Sequence, residues 1–330
     1  YDGCSKDQKY NLTLNYESNK KYSTREGFGF AFKKLGEIDG KRTFVVGLDG
    51  DVKNSTFTEP FYKEFPHKFV NCFIAEQLMV STSAGVGKRN KIPFCSTFST
   101  FFTRAFDQIR MGAISQDNVK YVGTHSGCHI GEDGPSQMGL EDLALFRSVP
   151  GMVVLAPTDV VSSERATQIA ANHYGSVFIR LGRNTHDILY KTDEVFEIGK
   201  SKVLLQSEND SITLISYGPP IYESLKAAKV LKKEGINIRI VDLFSIKPID
   251  VEGLSKNISA TNNLAFVIED HYYEGGAGEA VCANLSQFGF KIHRHAVDRV
   301  PRSGKPEELY DMFGLSAEKI ADHLRKILKN

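Results

Sequence analysis

The stretch "KFVNCFIAEQLMVSTSAG", residues 68–85, runs from a short strand pattern directly into a helical one. Its first six residues are mostly apolar, as in a strand that is covered on both faces, and residues 75–88 predict a helix. One glutamate, Glu76, stands inside the apolar run, with Ile74 before it and Leu78 after it. A buried ionised carboxylate is costly unless a partner group meets it. Either the helix turns Glu76 toward water, or a partner lies inside.

Short runs rich in valine, isoleucine and phenylalanine alternate with helical patterns through the first half of the chain. Alternation of this kind predicts a parallel sheet with crossover helices, so we expect a doubly wound α/β domain here. The expected strands are residues 43–48, 68–73, 92–95, 119–123, 152–156 and 176–180. The expected helices are residues 25–36, 75–88, 99–113, 138–147 and 159–173.

The alternation relaxes over residues 182–202 and then resumes, which indicates a second α/β domain after an interdomain connection. We therefore predict two doubly wound domains, each with a mostly parallel sheet flanked by helices. The predicted division is a linker or arm at residues 1–20, a first domain at 21–188 and a second domain at 189–330. The second domain's expected strands are residues 211–218, 236–243, 264–270 and 290–297, and its expected helices are 220–234, 277–287 and a last one from about 316.

The composition excludes several classes of function. The chain has 330 residues and a formal net charge of +1, so no bulk field attracts nucleic acid or an anionic membrane. It has no apolar run of about 18 residues, so we expect no membrane-spanning segment. Five cysteines without a Cys-x-x-Cys pair predict neither a zinc site nor a disulfide framework, and a reducing cytoplasm fits best.

Glu76 and a nearby group of phenylalanines are candidates for chemistry. Glu76 follows a predicted strand, where ligands of open α/β sheets gather, and it begins a helix whose N-terminus stabilises a carboxylate. It is either a capping residue or a carboxylate aimed at a basic nitrogen of a ligand. Phe98, Phe102 and Phe106 recur every four residues and predict a helical core stripe. Phe101 lies off that row, and it is either ordinary packing or a stacking surface for a heteroaromatic ring.

A polar loop at residues 123–147 joins a predicted strand to a helix and is too rich in functional groups for a mere connection. His125 and His129 do not indicate a metal site, because no third ligand is suggested. His125 and Asp133 are better interpreted as hydrogen-bonding groups for a hydroxylated or phosphorylated substrate.

Basic residues follow several predicted strand or loop ends. Arg25, Lys53, Arg180 and Arg183 are each either solvated surface charges or clamps for a phosphate, for which arginine is well suited. Their common placement on the predicted ligand side of the sheet favours an anion site.

Six segments together resemble the transketolase family, and closely its animal members. The resemblance runs from about residue 20 to the end and covers the second and third of the family's three domains, the pyrimidine-binding and C-terminal domains. It implies thiamine diphosphate as cofactor. The segments are "LDGDVKNSTF" (48–57), "IAEQLMVS" (74–81), "PFCSTFSTFFTRAFDQIRMGAIS" (93–115), "HSGCHIGEDGPSQMGLEDLALFRSVPG" (125–151), "EDHYYEGGAGEAV" (269–281) and "VDRVPRSGKPEELYDMFGL" (297–315).

The resemblance also implies a reaction. A transketolase moves a two-carbon glycolaldehyde unit reversibly from a ketose phosphate, xylulose 5-phosphate, to an aldose phosphate, either ribose 5-phosphate or erythrose 4-phosphate. The reaction belongs to the non-oxidative pentose phosphate pathway. This chain would therefore be a transferase that acts on sugar phosphates.

The resemblance assigns roles around the cofactor. Glu76 matches the glutamate that bonds N1′ of the aminopyrimidine of thiamine diphosphate. Phe101 matches the aromatic residue that stacks on that ring, and Phe98 lies close to it. Gln137 matches a polar neighbour of the cofactor, and only the resemblance supplies it.

A second set of roles concerns the substrate. Arg25, Ser55 and Arg183 match groups that hold the sugar phosphate, and His125 lies beside them. Asp133 matches the carboxylate that reads a substrate hydroxyl. Ser55 is again supplied by the resemblance alone.

One departure from the family pattern is large. The Gly-Asp-Gly motif with a later asparagine, which holds the metal and the diphosphate, is absent, because "DGD" at 49–51 lacks the first glycine and "EDG" at 132–134 belongs to the polar loop. We therefore expect no metal ligand in this chain. We expect a diphosphate-binding domain, on another chain or segment, to hold Mg²⁺ or Ca²⁺ and the diphosphate. The full enzyme is expected to be a cytoplasmic homodimer. Because residue 1 is not methionine, we expect part of a longer protein rather than a subunit of a two-subunit enzyme.

Two alternatives remain at this point. The β subunit of a thiamine-dependent 2-oxo acid dehydrogenase E1 has a similar length and also uses a glutamate after a strand. The loop at residues 125–144 argues against it, because that loop favours a hydroxylated sugar phosphate over an oxo acid. An inactive transketolase-like fragment is the second alternative.

Overall fold

A computed structural model describes residues 9–329 of the chain, which form two β-sheets flanked by helices. In chain order the strands are β1 (Val45–Asp49), β2 (Phe69–Asn71), β3 (Ile92–Phe98), β4 (Lys120–Thr124), β5 (Val153–Leu155), β6 (Val177–Arg180), β7 (Lys202–Leu205), β8 (Thr213–Ser216), β9 (Arg239–Asp242), β10 (Ser245–Lys247), β11 (Leu264–Tyr272) and β12 (Lys291–Val297). In chain order the α-helices are α1 (Thr24–Asp39), α2 (Lys53–Thr56), α3 (Glu59–Glu64), α4 (Glu76–Gly87), α5 (Phe106–Ile114), α6 (Asp142–Ser148), α7 (Val160–Asn172), α8 (Pro220–Lys233), α9 (Val251–Ser259), α10 (Ala277–Leu285), α11 (Pro306–Met312) and α12 (Ala317–Lys329).

The first sheet has seven strands in the order β10-β5-β6-β4-β3-β1-β2. All neighbouring pairs are parallel except β10 with β5. Every residue of β3, β4, β5 and β6 is buried, because helices cover both faces of the sheet. This burial is the physical reason for the nearly continuous apolar runs in the sequence.

The second sheet has five strands in the order β12-β11-β8-β9-β7. Its pairs are parallel except β7 with β9. Two mostly parallel sheets flanked by helices confirm the predicted fold class. The division at residues 188 and 189 stays a prediction, and one strand crosses it, because β10 comes from the second half of the chain and pairs with β5.

The segment before α1 lies along α7. The backbone N–H of Tyr10 donates to Asn172 Oδ1 at 2.8 Å, and that of Leu12 donates to Gln168 Oε1 at 2.6 Å. Both Tyr10 and Leu12 are buried. Part of the predicted linker or arm is therefore packed against the first sheet's helices, while residues 1–8 lie outside the described residues.

The predicted helix at residues 99–113 is wrong over its first half. Residues Ser99–Ala105 form a 3₁₀ segment, and the α-helix begins only at Phe106. Phe98 ends strand β3, and Phe106 is exposed, so the predicted helical stripe of Phe98, Phe102 and Phe106 does not exist. The four-residue spacing led to a wrong prediction, because a 3₁₀ segment has about three residues per turn and does not bring every fourth residue to one face.

The helix predicted at residues 138–147 begins later, at Asp142. Its first expected residues are held instead by a bridge between Ser126 and Gly139. Six elements of three to nine residues were not predicted, because such short segments carry too little periodicity to detect. The unpredicted elements are α2, α3, α9, α11, β7 and β10.

Candidate active site

The carboxyl ends of five neighbouring strands bring the predicted site residues to one edge of the first sheet. Ser55 follows β1 and Glu76 follows β2. Phe98 ends β3, His125 follows β4 and Arg183 follows β6. Because β1, β2, β3, β4 and β6 are parallel neighbours, their ends meet at the same edge, which is the usual ligand edge of such sheets.

Glu76 is buried at the start of α4 and has a partner. The side chain is 4% exposed, and Arg104 Nη1 donates to its Oε1 at 2.6 Å. Among the described residues, no hydrogen bond reaches Oε2 of Glu76. The question raised by the sequence is therefore answered by an inward carboxylate that one guanidinium meets on one side only.

Arg104 was missed by sequence reasoning. It comes from the 3₁₀ segment that follows β3, and its exposed guanidinium lies over the ring of Phe101 at 4.7 Å from the centroid. A signal was present, because Arg104 is the only basic residue in the apolar stretch 93–106. The buried Glu76 carboxylate is the group that needs a partner, and Arg104 is that partner.

A row of stacked rings leads from Arg104 into the site. Phe101 and Phe98 stack with ring centroids 5.1 Å apart and an interplanar angle of 11°. Phe98 in turn stacks on the imidazole of His125, with centroids 3.7 Å apart. Phe101 is half-buried, so part of its surface is open to another ring.

His125 opens the polar loop in an uncommon backbone conformation. Its φ is 58°, in the left-handed region that few non-glycine residues adopt, and its side chain is buried. Its Nδ1 lies 3.0 Å from the Thr124 hydroxyl, and its Nε2 lies 3.9 Å from Asp133 Oδ2. Burial, with the charges of Arg25 and Arg183, lowers the pKa of His125 to about 3. His125 is therefore a neutral hydrogen-bonding group at neutral pH, not a cationic clamp.

Two arginines bring positive charge to this end of the site. Arg183 Nη1 donates to Asp133 Oδ2 at 2.7 Å and to the carbonyl of Ile130 at 3.1 Å. Burial and the neighbouring Arg183 guanidinium lower the pKa of Arg25. Nε of Arg25 is buried without a hydrogen-bond partner among the described residues. Two carboxylates, Glu26 and Asp133, act on Arg25, but its Nε keeps an unused hydrogen-bond donor that suits an anion.

The segment around Ser55 is held by a buried aspartate. Asp49 ends β1, and its carboxylate accepts bonds from the Val52 N–H at 2.7 Å, the Thr56 hydroxyl at 2.7 Å and the Thr58 hydroxyl at 2.9 Å. These bonds fix α2, whose Ser55 carbonyl accepts from Arg25 Nη1 at 2.9 Å. The motif at residues 48–57 thus places Ser55 beside Arg25.

Two other predicted groups have different outcomes. Gln137 lies half-buried in the polar loop, where its N–H donates to the Gly134 carbonyl at 3.1 Å. Its place beside a cofactor stays a prediction. The suggested phosphate role of Arg180 is wrong, because Arg180 is buried and its Nε donates to both oxygens of Asp142, at 3.1 and 2.9 Å.

The arrangement fits an aromatic ring that carries a basic nitrogen. Oε2 of Glu76 lacks a partner within residues 9–329, and the half-exposed Phe101 offers a face nearby. A carboxylate and an aromatic face on neighbouring elements can orient such a ring. The unused Nε donor of Arg25, with the Arg183 guanidinium nearby, suits a phosphate.

Two kinds of feature are absent from residues 9–329. No cluster of three or more histidine, cysteine, aspartate or glutamate side chains there could hold a metal ion. No helix in that range combines the length and apolar character needed to cross a bilayer.

Comparison with known protein families divides the chain in two. Residues 20–187 match the family model of the transketolase pyrimidine-binding domain, and residues 201–320 match that of the transketolase C-terminal domain.

Curated relatives match over almost the whole chain. Transketolase of Homo sapiens is 50% identical over 315 residues, which cover 95% of this chain and 50% of that protein. Transketolase-like protein 2 of Mus musculus is 51% identical over 307 residues, which cover 92% of this chain and 48% of that protein. The chain spans about half the length of the curated relatives it matches.

Solved structures share the fold. A split gene transketolase, described as an inactive beta4 tetramer, is 35% identical with a TM-score of 0.84, and the match covers 94% of this chain and 99% of that one. Transketolase from Leishmania mexicana is 20% identical with a TM-score of 0.81, and the match covers 96% of this chain and 47% of that one. This chain belongs to the transketolase family and carries the family's pyrimidine-binding and C-terminal domains.

Proposed function

We propose that this chain supplies half of a transketolase active site. Together with a diphosphate-binding domain it would transfer a two-carbon glycolaldehyde unit from xylulose 5-phosphate to ribose 5-phosphate or erythrose 4-phosphate, in the non-oxidative pentose phosphate pathway. The observation that carries the proposal is the buried Glu76, with Oε2 unpartnered within residues 9–329 and Phe101 beside its Arg104 partner.

Glu76 would hold the aminopyrimidine of thiamine diphosphate. Arg104 fixes Oε1, which leaves Oε2 to share a proton with the ring nitrogen. Phe101 would stack on the ring, with Phe98 behind it and Gln137 as a polar neighbour. Thiamine diphosphate, when bound, supplies the nucleophilic carbon and the electron sink for breaking a carbon–carbon bond of the ketose.

The polar loop and the two arginines would hold the sugar phosphate. Arg25 and Arg183 would clamp the phosphate, with Ser55 at its edge. Neutral His125 and the Asp133 side chain would bond the hydroxyl groups of the substrate, since an imidazole can donate and carboxyl oxygens accept. Two arginines beside a donor and an acceptor suit an anion that carries several hydroxyl groups.

An exposed apolar surface supports a partner domain over Glu76. Phe73, Ile74 and Leu78 flank the glutamate in the chain and are 66%, 76% and 62% exposed. Apolar groups gathered around a buried carboxylate are typical of a surface that another protein covers. The proposed cover is the diphosphate-binding domain, with Mg²⁺ or Ca²⁺, in a homodimer of the full enzyme.

Other observations support the rest of the proposal. The cysteines at positions 72, 95, 128 and 282 are free thiols, which fits a cytoplasmic location. The similar split gene chain, which this chain covers almost completely, is described as inactive, which supports a need for the other domain. Membership of the transketolase family does not favour the alternative of an E1 β subunit.

Reconstitution with a diphosphate-binding domain tests the proposal. The assembled protein is expected to transfer the two-carbon unit from xylulose 5-phosphate to ribose 5-phosphate, measured by product chromatography. Glu76→Ala should lower kcat by roughly a thousandfold or more, because a positioned proton-transfer group contributes on the order of 10²–10⁴-fold. Circular dichroism would verify that the variant keeps its fold.

Glu59→Gln is the matched control, because Glu59 also begins a helix but pairs only with Lys63 at the surface. It should keep the wild-type rate. Normal turnover in Glu76→Ala would remove Glu76 from the mechanism, and release of CO₂ from pyruvate by the assembled protein would favour the E1 alternative.

A further inference from the structure

A carboxylate from the second sheet reaches into the polar loop of the first. Asp270 lies on β11 and is 1% exposed. Its Oδ1 accepts from the Cys128 N–H at 2.8 Å, and its Oδ2 accepts from the His129 N–H at 3.3 Å and from the Tyr310 hydroxyl at 2.9 Å. Two consecutive backbone amides of the loop are therefore bound by one buried side chain that lies some 140 residues further along the chain.

The approach is close enough to need a glycine. Gly127 has φ of 85°, and a Cβ built there would overlap the Asp270 carboxylate. The amides of Cys128 and His129 thus form a small concave site in which Asp270 takes the place of an anion.

Further hydrogen bonds join the other end of the loop to the same strand. Arg180 Nη2 donates to the Gly139 carbonyl at 3.0 Å and to the Asp270 carbonyl at 2.9 Å. The Tyr272 N–H donates to the Leu140 carbonyl at 3.1 Å. Both ends of the loop are therefore fixed to β11.

The loop that these hydrogen bonds hold carries the residues proposed to bind the substrate. His125 is three residues before Cys128, and Asp133 is five residues after it. Gly131 and Gly134 lie against Pro306 and Ser303 of the second half of the chain, so a Cβ on either would meet those side chains. The regular structure inside the loop is limited to one 3₁₀ segment, Cys128–Asp133. Its shape therefore depends on contacts with the second sheet and its neighbours.

We propose that Asp270 is a positioning residue for substrate binding, which holds His125 and Asp133 in place through the amides of Cys128 and His129. The inference rests on the proposed function, since it takes those two residues as substrate ligands. The second domain would thereby contribute to the active site, through the position of the polar loop. Asp270 itself does not contact substrate.

Asp270→Asn in the assembled enzyme tests the inference. The asparagine has the same size, but only one of its two terminal atoms can accept, so at least one loop amide or the Tyr310 hydroxyl loses its bond. We expect the KM for xylulose 5-phosphate to rise roughly tenfold, with kcat reduced by less than about threefold. The affinity for thiamine diphosphate, measured by calorimetry, should stay within about twofold, because Glu76 and Phe101 are not touched.

Asp242→Asn is the matched control. Asp242 is a buried carboxylate on β9 of the same sheet, and it accepts from the Tyr190 hydroxyl at 2.6 Å and not from the loop. This variant should leave the KM unchanged even if it lowers the melting temperature. A similar KM in both variants would overturn the inference.

Amide hydrogen exchange gives a readout that does not depend on activity. Exchange at Cys128 and His129 should be faster in Asp270→Asn than in Asp242→Asn by about tenfold or more, because a bound amide is protected until its bond opens. Equal protection in the two variants would overturn the inference. If the wild-type assembly transfers no two-carbon unit, the proposed function fails, while the exchange result still decides whether Asp270 holds the loop.

Discussion

Within residues 9–329, Glu76 has one ion-pair partner and a border of exposed apolar side chains, whereas His125 lies in a loop that the same chain holds on several sides. Arg104 reaches Glu76 from an exposed position, and Ile74 beside it is mostly exposed. By contrast, His125 is bonded by Thr124, stacked by Phe98 and followed by amides that Asp270 binds. The two regions share one sheet edge but differ in what completes them.

The difference indicates that the surroundings of Glu76 and of His125 are pre-organised in two different ways. The end proposed for the substrate is held by contacts inside the chain, so we expect it to depend on the chain's own folding. The end proposed for the cofactor has an exposed apolar border, so we expect it to depend on association with the diphosphate-binding domain. Mutations should therefore act on assembly at one end and on substrate affinity at the other.

Among the changes that distinguish the two ends of the site, the largest effect should come from placing a charge in the apolar border. Ile74→Asp would put a carboxylate into the proposed interface without a partner, at a cost of about 3 kcal/mol, or a Kd for assembly raised roughly a hundredfold. Sedimentation velocity over a dilution series of the assembled enzyme measures this. Val195→Asp is the control, because Val195 is also exposed and β-branched but lies in the connection between the sheets. Equal dissociation of both variants would contradict an interface at Ile74.

A smaller effect is expected around Arg183, at the end proposed to bind the substrate phosphate. Arg183→Met should raise the KM for xylulose 5-phosphate by roughly thirtyfold, because a hydrogen-bonded charge at a phosphate is worth about 2 kcal/mol. Steady-state kinetics with unphosphorylated xylulose provides the comparison, since that donor has no phosphate to lose. An equal loss with both donors would show that Arg183 acts only through Asp133 and not on the phosphate.

The smallest effect concerns stability and pH. The folded state keeps His125 neutral, because burial and the charges of Arg25 and Arg183 lower its pKa to about 3, while the unfolded chain binds a proton near pH 6.5. The unfolded state therefore binds more protons between these values, and the free energy of unfolding falls as the pH decreases through this window.

His125→Asn should reduce the loss of stability between pH 7 and 5.5 by about 1 kcal/mol relative to wild type. Urea unfolding at the two pH values measures it, with His67→Asn at an exposed position as the control. A wild-type pH dependence in His125→Asn would mean that His125 already carries a proton when folded.

Local patterns predicted the scaffold well because helices cover both faces of the sheets. β5, whose three residues are all apolar and buried, is apolar enough to be recognised from sequence, and Glu76 stands out against such a background. The same reasoning failed where residues with a helical spacing do not lie in one α-helix. The phenylalanines at 98, 102 and 106 share a helical spacing, but a 3₁₀ segment separates them.

Long-range partners were beyond the reach of sequence reasoning. Asp270 is 142 residues from Cys128, and no local pattern says which buried aspartate binds which amide. The same holds for Arg180, because its place after a strand suggested either a solvated surface charge or a phosphate clamp, while its carboxylate partner, Asp142, lies 38 residues away. The roles of Ser55 and Gln137 came from family resemblance alone.

Strand β10 has a consequence for hybrid enzymes. It comes after three strands of the second sheet, yet Ser245 pairs with Leu155 of β5, and Lys247 Nζ donates to the Val149 carbonyl at 2.6 Å. A chimaera that joins two transketolases at the connection near residue 190 would therefore set one parent's strand against the other parent's sheet edge. Recombination after Pro248 would keep that pairing within a single parental sequence.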